Sequence, residues 1–133
     1  MLYKEAVDET ALGLLISLQS KKYLRGFILA GGTALSLLNG YRKSVDIELF
    51  SNFSFNTKLI LGNLIQDYDF DLLFSATNSL RGTVRDTIID IISQRYRLLE
   101  DSFEEENIKI LSVPDIIAMK LYSVSTSKRR IID

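Results

Sequence analysis

The chain has 133 residues, of which 47% are hydrophobic and 25% charged, with a formal net charge of −1 and neither cysteine nor histidine. That length and apolar content allow one packed core rather than two, and the balanced, interspersed charge gives no global field for a polyanion, which only a local patch would hold. Without cysteine or histidine there are no disulfides, thiolate metal sites, cysteine nucleophiles or imidazole bases, so any chemistry runs on carboxylates, Lys, Arg and hydroxyls.

The start, Met1 to Glu5, carries acid early and leads into an amphipathic pattern, unlike a secretory signal. No apolar run approaches the roughly 20 residues of a membrane-spanning helix, so a soluble, cytoplasmic protein with no membrane partner is expected. Val7, Ala11, Leu14, Leu15 and Leu18 recur at helical spacing and predict a first helix that ends at Gly26. Phe27 to Ala30 is a short apolar strand that stops at Gly31-Gly32, and Thr33 to Leu38 returns to good helix formers closed by Asn39-Gly40. Val45, Ile47 and Leu49 then alternate with Asp46 and Glu48, the period of a strand with one apolar face, up to Phe50.

Leu59, Ile60, Leu64 and Ile65 predict a further helix. Strands are expected over Phe70 to Ala76 and Thr83 to Ser93, divided by a turn near Asn78 to Gly82. Leu99 to Asn107 reads as an acidic connection and Ile108 to Leu111 as a short strand. Ser112-Val113-Pro114-Asp115 has the spacing of a capping box that opens a last helix through Met119, Lys120 and Leu121. There is no internal repeat or linker, so residues 1–133 read as a single α/β (α+β) domain, a mixed sheet flanked by helices.

Asp46 and Glu48, two apart on a strand, project from one face. Adjacent carboxylates either stand in water as a solvated strand face or share a divalent cation. Hard oxygen ligands at this spacing suit magnesium, which takes one or two protein carboxylates and fills its other positions with water and phosphates. Gly31-Gly32 at a helix entrance has two readings as well: a backbone that needs positive φ, or amides that approach a phosphate at the positive end of the helix dipole. Asp90 is flanked by four isoleucines, Ile88, Ile89, Ile91 and Ile92, so its carboxylate needs compensation. A metal shared with Asp46 and Glu48 would supply it, and so would an ion pair with Arg85 or Arg95. Asp86 is a reserve candidate on the same face if the strand is regular.

The run Phe27 to Leu37 followed by Gly40 to Phe50 resembles the signature of the nucleotidyltransferase superfamily, and more closely its AbiEii/AbiGii toxin branch. Asp115 to Leu121 is similar to that branch's later helix motif, so the resemblance runs from Phe27 to the end. It implies a nucleotidyltransferase-type mixed sheet flanked by helices, with Asp46 and Glu48 holding Mg2+ (or Mn2+) and Asp90 as third carboxylate. It also implies Gly31, Gly32 and Thr33 around a nucleoside triphosphate, Lys120 at its phosphates, and Arg42 and Ser44 beside the metal strand. Lys120 also reads, more plainly, as a solvated helix residue. The chain departs from the family with Tyr41 in place of a common His and Glu48 in place of the more usual Asp. Ser127 and Arg130 stand where an Arg and an acid are typical, while Asp133 matches. Members usually continue into a further helical region, so the chain reads as minimal, truncated or degenerate.

The resemblance therefore implies a metal-dependent transfer of a nucleoside monophosphate from an NTP to a hydroxyl, on RNA such as tRNA, by a toxin with a cognate antitoxin protein or in phage defence. Asp90 would be the base for the acceptor hydroxyl. Two other readings stand beside it: a catalytically degenerate nucleotide-binding or partner-binding module, and an enzyme that nucleotidylates a protein.

Overall fold

A computed structural model of the chain describes residues 1–40 and 46–121. In chain order it contains α1 (Glu9–Ser20), β1 (Ile28–Ala30), α2 (Gly31–Asn39), β2 (Ile47–Ser51), α3 (Thr57–Asp67), β3 (Phe70–Ala76), β4 (Ser79–Val84), β5 (Thr87–Ser93), β6 (Phe103–Glu105) and β7 (Ile108–Ile110). Residues 113–121 are helical and are called α4. The strands form one mixed sheet in the order β3-β4-β5-β2-β1-β7-β6. β2 runs parallel to β5 and β1 parallel to β7, while the other neighbours are antiparallel.

Period-two alternation decides which face is core. Ile89 and Ile91 of β5, Ile47 and Leu49 of β2, and Leu80 and Val84 of β4 are buried, with Leu15, Leu18 and Leu64 of the helices in the same core. Each such side chain contributes about 1.5–3 kcal/mol relative to exposure. On the opposite face the alternate residues Ile88, Asp90 and Ile92 of β5, and Ser79, Arg81 and Thr83 of β4, keep contact with solvent. No helix among the described residues is long and apolar enough to cross a membrane.

Several boundaries differ from the sequence pattern. Val7 lies before the first helix, because Asp8 is its N-cap and accepts from the Ala11 N–H at 3.3 Å. That helix ends at Ser20 rather than at Gly26; a 3-10 turn over Lys22–Leu24 follows, and Gly26 (φ +87) turns the chain into β1. The sequence pattern places a turn at Asn78 to Gly82 and one strand over Thr83 to Ser93. The structure has β4 over Ser79–Val84 and a two-residue turn at Arg85-Asp86. Arg85 and Asp86 both take positive φ (48° and 66°), as mirror-image hairpin turns require. Gly82 imitates a turn signal, but Leu80 and Val84 carry the buried face of a strand. Asp86 therefore sits at a hairpin tip and not on the strand face of Asp90. The acidic stretch Leu99 to Asn107 likewise contains β6, joined to β7 through Glu106 and Asn107 at φ 51° and 67°.

The capping box is present. Ser112 Oγ accepts from the Asp115 N–H at 3.2 Å and donates to Asp115 Oδ2 at 2.6 Å. Asp115 also accepts from the backbone N–H of Leu99 at 2.7 Å and of Glu100 at 3.1 Å, so it pins the loop after β5 to the start of α4. Burial raises the proton affinity of this carboxylate, but the donors from Leu99, Ser112, Glu100 and Tyr96 outweigh it and hold its pKa below the usual range.

Candidate active site

The parallel pairing of β2 with β5 sets Glu48 opposite Asp90, and opposed residues on neighbouring strands share a face. Asp46 lies immediately before β2 and is exposed, whereas Glu48 and Asp90 are part-buried. Burial pushes the Glu48 carboxyl above its usual range, and the charges of Asp90 and Asp46 push it further. Arg81 and Lys120 oppose that rise. Asp90 is raised too, first by burial and then by Asp46, against the pull of Arg81. Asp46 and Asp90 both act on Glu48, and Asp46 acts on Asp90, so the three carboxylates lie within electrostatic reach of one another.

The partner of Asp90 is Arg81, its register neighbour on β4, with Nη1 3.6 Å from Oδ2. Neither Arg85 nor Arg95, the partners named from sequence, takes that place; Arg85 lies in the hairpin turn. Arg81 escapes a sequence reading that sees a turn at Asn78 to Gly82. Period-two alternation of Leu80, Gly82 and Val84 against Ser79, Arg81 and Thr83 is the signal that finds it.

β1 places the start of α2 against the same acids, since Ala30 is opposite Glu48. Gly31 has φ +73, and a Cβ there would stand 2.7 Å from Glu48 Oε1 and closer still to its Cδ and Oε2. Gly31 is therefore glycine for two local reasons, a left-handed backbone and the Glu48 carboxylate. Gly32 differs: a Cβ there would meet nothing within 4 Å, and the residue is exposed. Internal packing does not account for it.

Asp8, Asn56 and Ser112 cap α1, α3 and α4 through side-chain oxygens. At α2 the N-cap is Ala30, which makes no side-chain cap bond. The sequence thus puts an oxygen-bearing cap at three helices and alanine at the N-cap of the fourth, beside the carboxylates, where the helix dipole favours an anion.

Thr33, expected at the nucleotide, is buried, and its hydroxyl donates to the Asp46 carbonyl oxygen. This bond ties α2 to the residue before β2 and so helps to position Asp46. Lys120 is exposed on α4 and near enough to Glu48 to lower its proton affinity. Arg42 and Ser44 lie outside the described residues, as do Tyr41, Ser127, Arg130 and Asp133.

Among the described residues no group of three or more carboxylates is gathered closely enough to hold a metal ion by itself. What is present is an opposed pair, Glu48 and Asp90, with Asp46 beside it. That donor set fits a cation that takes one or two carboxylates and completes its shell with water and phosphate oxygens, as magnesium does. A cavity of about 280 Å³ between α1 and the β4–β5 hairpin, lined by Glu9, Thr10, Ser17, Tyr68 and Arg85 among others, contains none of these acids.

No family model matches the chain, and no curated protein matches it. Two solved structures from Helicobacter pylori do. JHP933 superposes with a TM-score of 0.56 at 18% identity over 86% of this chain and 57% of its own. A protein described as a candidate nucleotidyltransferase superposes with a TM-score of 0.56 at 19% identity over 86% of this chain and 59% of its own. The chain has a nucleotidyltransferase-like fold. It spans under three-fifths of the length of either structure. In this nucleotidyltransferase-like fold the carboxylates stand on adjacent central strands, β2 and β5, and the glycine-led helix follows β1, their neighbour on the other side.

Proposed function

We propose that the chain is a metal-dependent nucleotidyltransferase that moves a nucleoside monophosphate from an NTP to a hydroxyl acceptor. The observation that carries this reading is the juxtaposition of the opposed pair Glu48 and Asp90, and neighbouring Asp46, with the glycine-led start of α2, where Gly31 abuts the Glu48 carboxylate. Asp46 and Glu48, with Asp90 as third donor, would hold Mg2+ or Mn2+. When bound, the cation supplies positive charge against phosphate oxygens. The amides of Gly31 and Gly32 donate to the triphosphate, and Lys120 offers a cation from α4.

The acceptor oxygen bonds to the α-phosphorus, the bond from that phosphorus to the bridging oxygen breaks, and pyrophosphate leaves. The acceptor's proton passes to the Asp90 carboxylate, whose raised proton affinity suits a base. The work of such a site is positioning and electrostatics, which a chain without histidine can perform.

The likeness of the Gly31-Gly32 and Asp46-Ile47-Glu48 segments to the AbiEii/AbiGii branch favours RNA such as tRNA as acceptor, and a toxin paired with an antitoxin protein or acting in phage defence. The test is incorporation of labelled nucleotide into total tRNA and, in parallel, into protein, with Asp46→Asn as control. Label in RNA that the control loses supports the proposal, whereas label in protein alone moves the acceptor to a polypeptide hydroxyl. One observation favours a non-catalytic nucleotide-binding module: Arg81 already partly neutralises Asp90. Tight nucleotide binding with no transfer to either acceptor would favour that second reading.

A further inference from the structure

We propose that Phe74 and Arg81 form a subsite for one nucleotide unit, with the base stacked on the Phe74 ring and a phosphate against the Arg81 guanidinium. The inference rests on the nucleotidyl-transfer reading of the carboxylates and extends their site across the sheet. Register places Glu48 (β2), Asp90 (β5), Arg81 (β4) and Phe74 (β3) in one cross-strand row. At about 4.8 Å per strand, Phe74 stands roughly 10 Å from Asp90 along that row, within the reach of a nucleotide whose reacting group lies at the acids.

Phe74 reaches this row through an irregularity. The β3–β4 register runs Leu72 to Gly82 and then Phe74 to Arg81, so Leu73 is an extra residue in a β-bulge. In a regular ladder Leu73 would pair with Arg81, and Phe74 would share the side of Leu72, whose partner Gly82 belongs to the buried face of β4. The bulge turns Phe74 onto the face of Arg81 and Asp90 instead. Bulges next to active sites commonly re-aim one side chain in this way.

The two side chains suit the ligand. Phe74 is 53% exposed on the edge strand, and an exposed ring on an open sheet face is a stacking platform for any base. The Arg81 side chain is 47% exposed, and its 3.6 Å approach to Asp90 is longer than a hydrogen bond, so the contact is an ion pair on an accessible face. A planar cation on the strand next to the carboxylate pair complements a phosphate.

Two sources supply such a unit: the donor NTP, or the acceptor's terminal nucleotide. Titrations of ATP, inorganic tripolyphosphate and a short single-stranded oligoribonucleotide, with magnesium, into the parent protein, Phe74→Ala, Phe74→Tyr and Arg81→Gln separate them. If the donor base stacks, Phe74→Ala weakens ATP about tenfold, the size of one base–aromatic stack, and leaves tripolyphosphate unchanged. If the acceptor base stacks, the same variant weakens the oligonucleotide by a similar factor and spares ATP. Phe74→Tyr keeps the affinity in either case, and Arg81→Gln weakens the same ligand that Phe74→Ala does. Parent-like affinity of Phe74→Ala for both ATP and oligonucleotide overturns the subsite while leaving the carboxylate site standing. So does sedimentation showing that the parent dimerises and the variant does not, which would assign Phe74, Leu72 and Leu73 to pairing of two β3 edges. A parent protein that binds neither nucleotide nor oligonucleotide removes both the subsite and the reading beneath it.

Discussion

Gly31 and Glu48 occupy one space: a Cβ on the glycine would lie 2.7 Å from Glu48 Oε1, so the glycine that opens α2 and the acid of β2 depend on each other. Gly31→Ala is expected to destabilise the fold by about 1–3 kcal/mol, from the left-handed backbone and displacement of the carboxylate. Gly32→Ala, at a position with open space, should leave stability unchanged or raise it by about 0.5–1 kcal/mol, since alanine is the better helix former. The methyl group would nonetheless obstruct a phosphate, so NTP affinity should fall roughly tenfold, about 1.4 kcal/mol. Thermal denaturation of both variants with nucleotide titration of Gly32→Ala checks this, and unchanged affinity in Gly32→Ala would remove the glycine cradle.

Glu48→Gln should stabilise the cation-free protein. A carboxyl whose folded pKa is raised binds its proton more tightly when folded, so stability falls as pH rises from the unfolded value, about 4.3, through the folded one. The penalty is complete above that window. At neutral pH the variant should melt above the parent, with the gap closing below pH ~4.3. Magnesium should raise the parent's Tm more than the variant's. Melting curves from pH 4 to 8 with and without magnesium measure both effects.

Arg81→Gln tests the ion pair from the side of proton transfer. Arg81 lowers the proton affinity of Asp90, so its loss raises the Asp90 pKa further. A base acts when ionised; the acid limb of the transfer-rate profile should therefore move to higher pH in the variant, while the rate at alkaline pH changes less. An acid limb that stays in place would separate Asp90 from the proton transfer.

The sequence pattern reaches the site further than it reaches the sheet. Asp46, Glu48 and Asp90 stand out as acids inside apolar period-two runs, and Gly31-Gly32 as a glycine pair between strand and helix, although each also has a plain structural reading. The register that sets Glu48 against Asp90 is a long-range parallel pairing, which no local spacing encodes. β4 and Arg81 are hidden by Gly82, which reads as a turn until the hairpin at Arg85-Asp86 is known. The contact of Thr33 with the Asp46 carbonyl is equally hidden, because it crosses from one element to the next.

Asp115 should matter to stability rather than chemistry. It accepts from Leu99, Glu100 and Ser112, and its depressed pKa means that the stability it supplies is present above the unfolded value of about 3.9 and lost as pH falls through the folded one. Asp115→Ala should cost on the order of 2–3 kcal/mol, since it leaves the buried Ser112 hydroxyl and two part-buried N–H donors without their acceptor. Urea denaturation at pH 7 and at pH 3 reads the effect, which should shrink at the lower pH.

The central claim, a nucleotide-and-cation site built on Asp46, Glu48 and Asp90, is tested most directly by calorimetric titration of an NTP with magnesium and with a chelator. Carboxylates without a cation repel a triphosphate, so the parent protein should bind markedly more tightly with magnesium, and Asp46→Asn should erase that difference. Equal affinity with and without metal in the parent, or a metal effect that survives Asp46→Asn, would contradict the account.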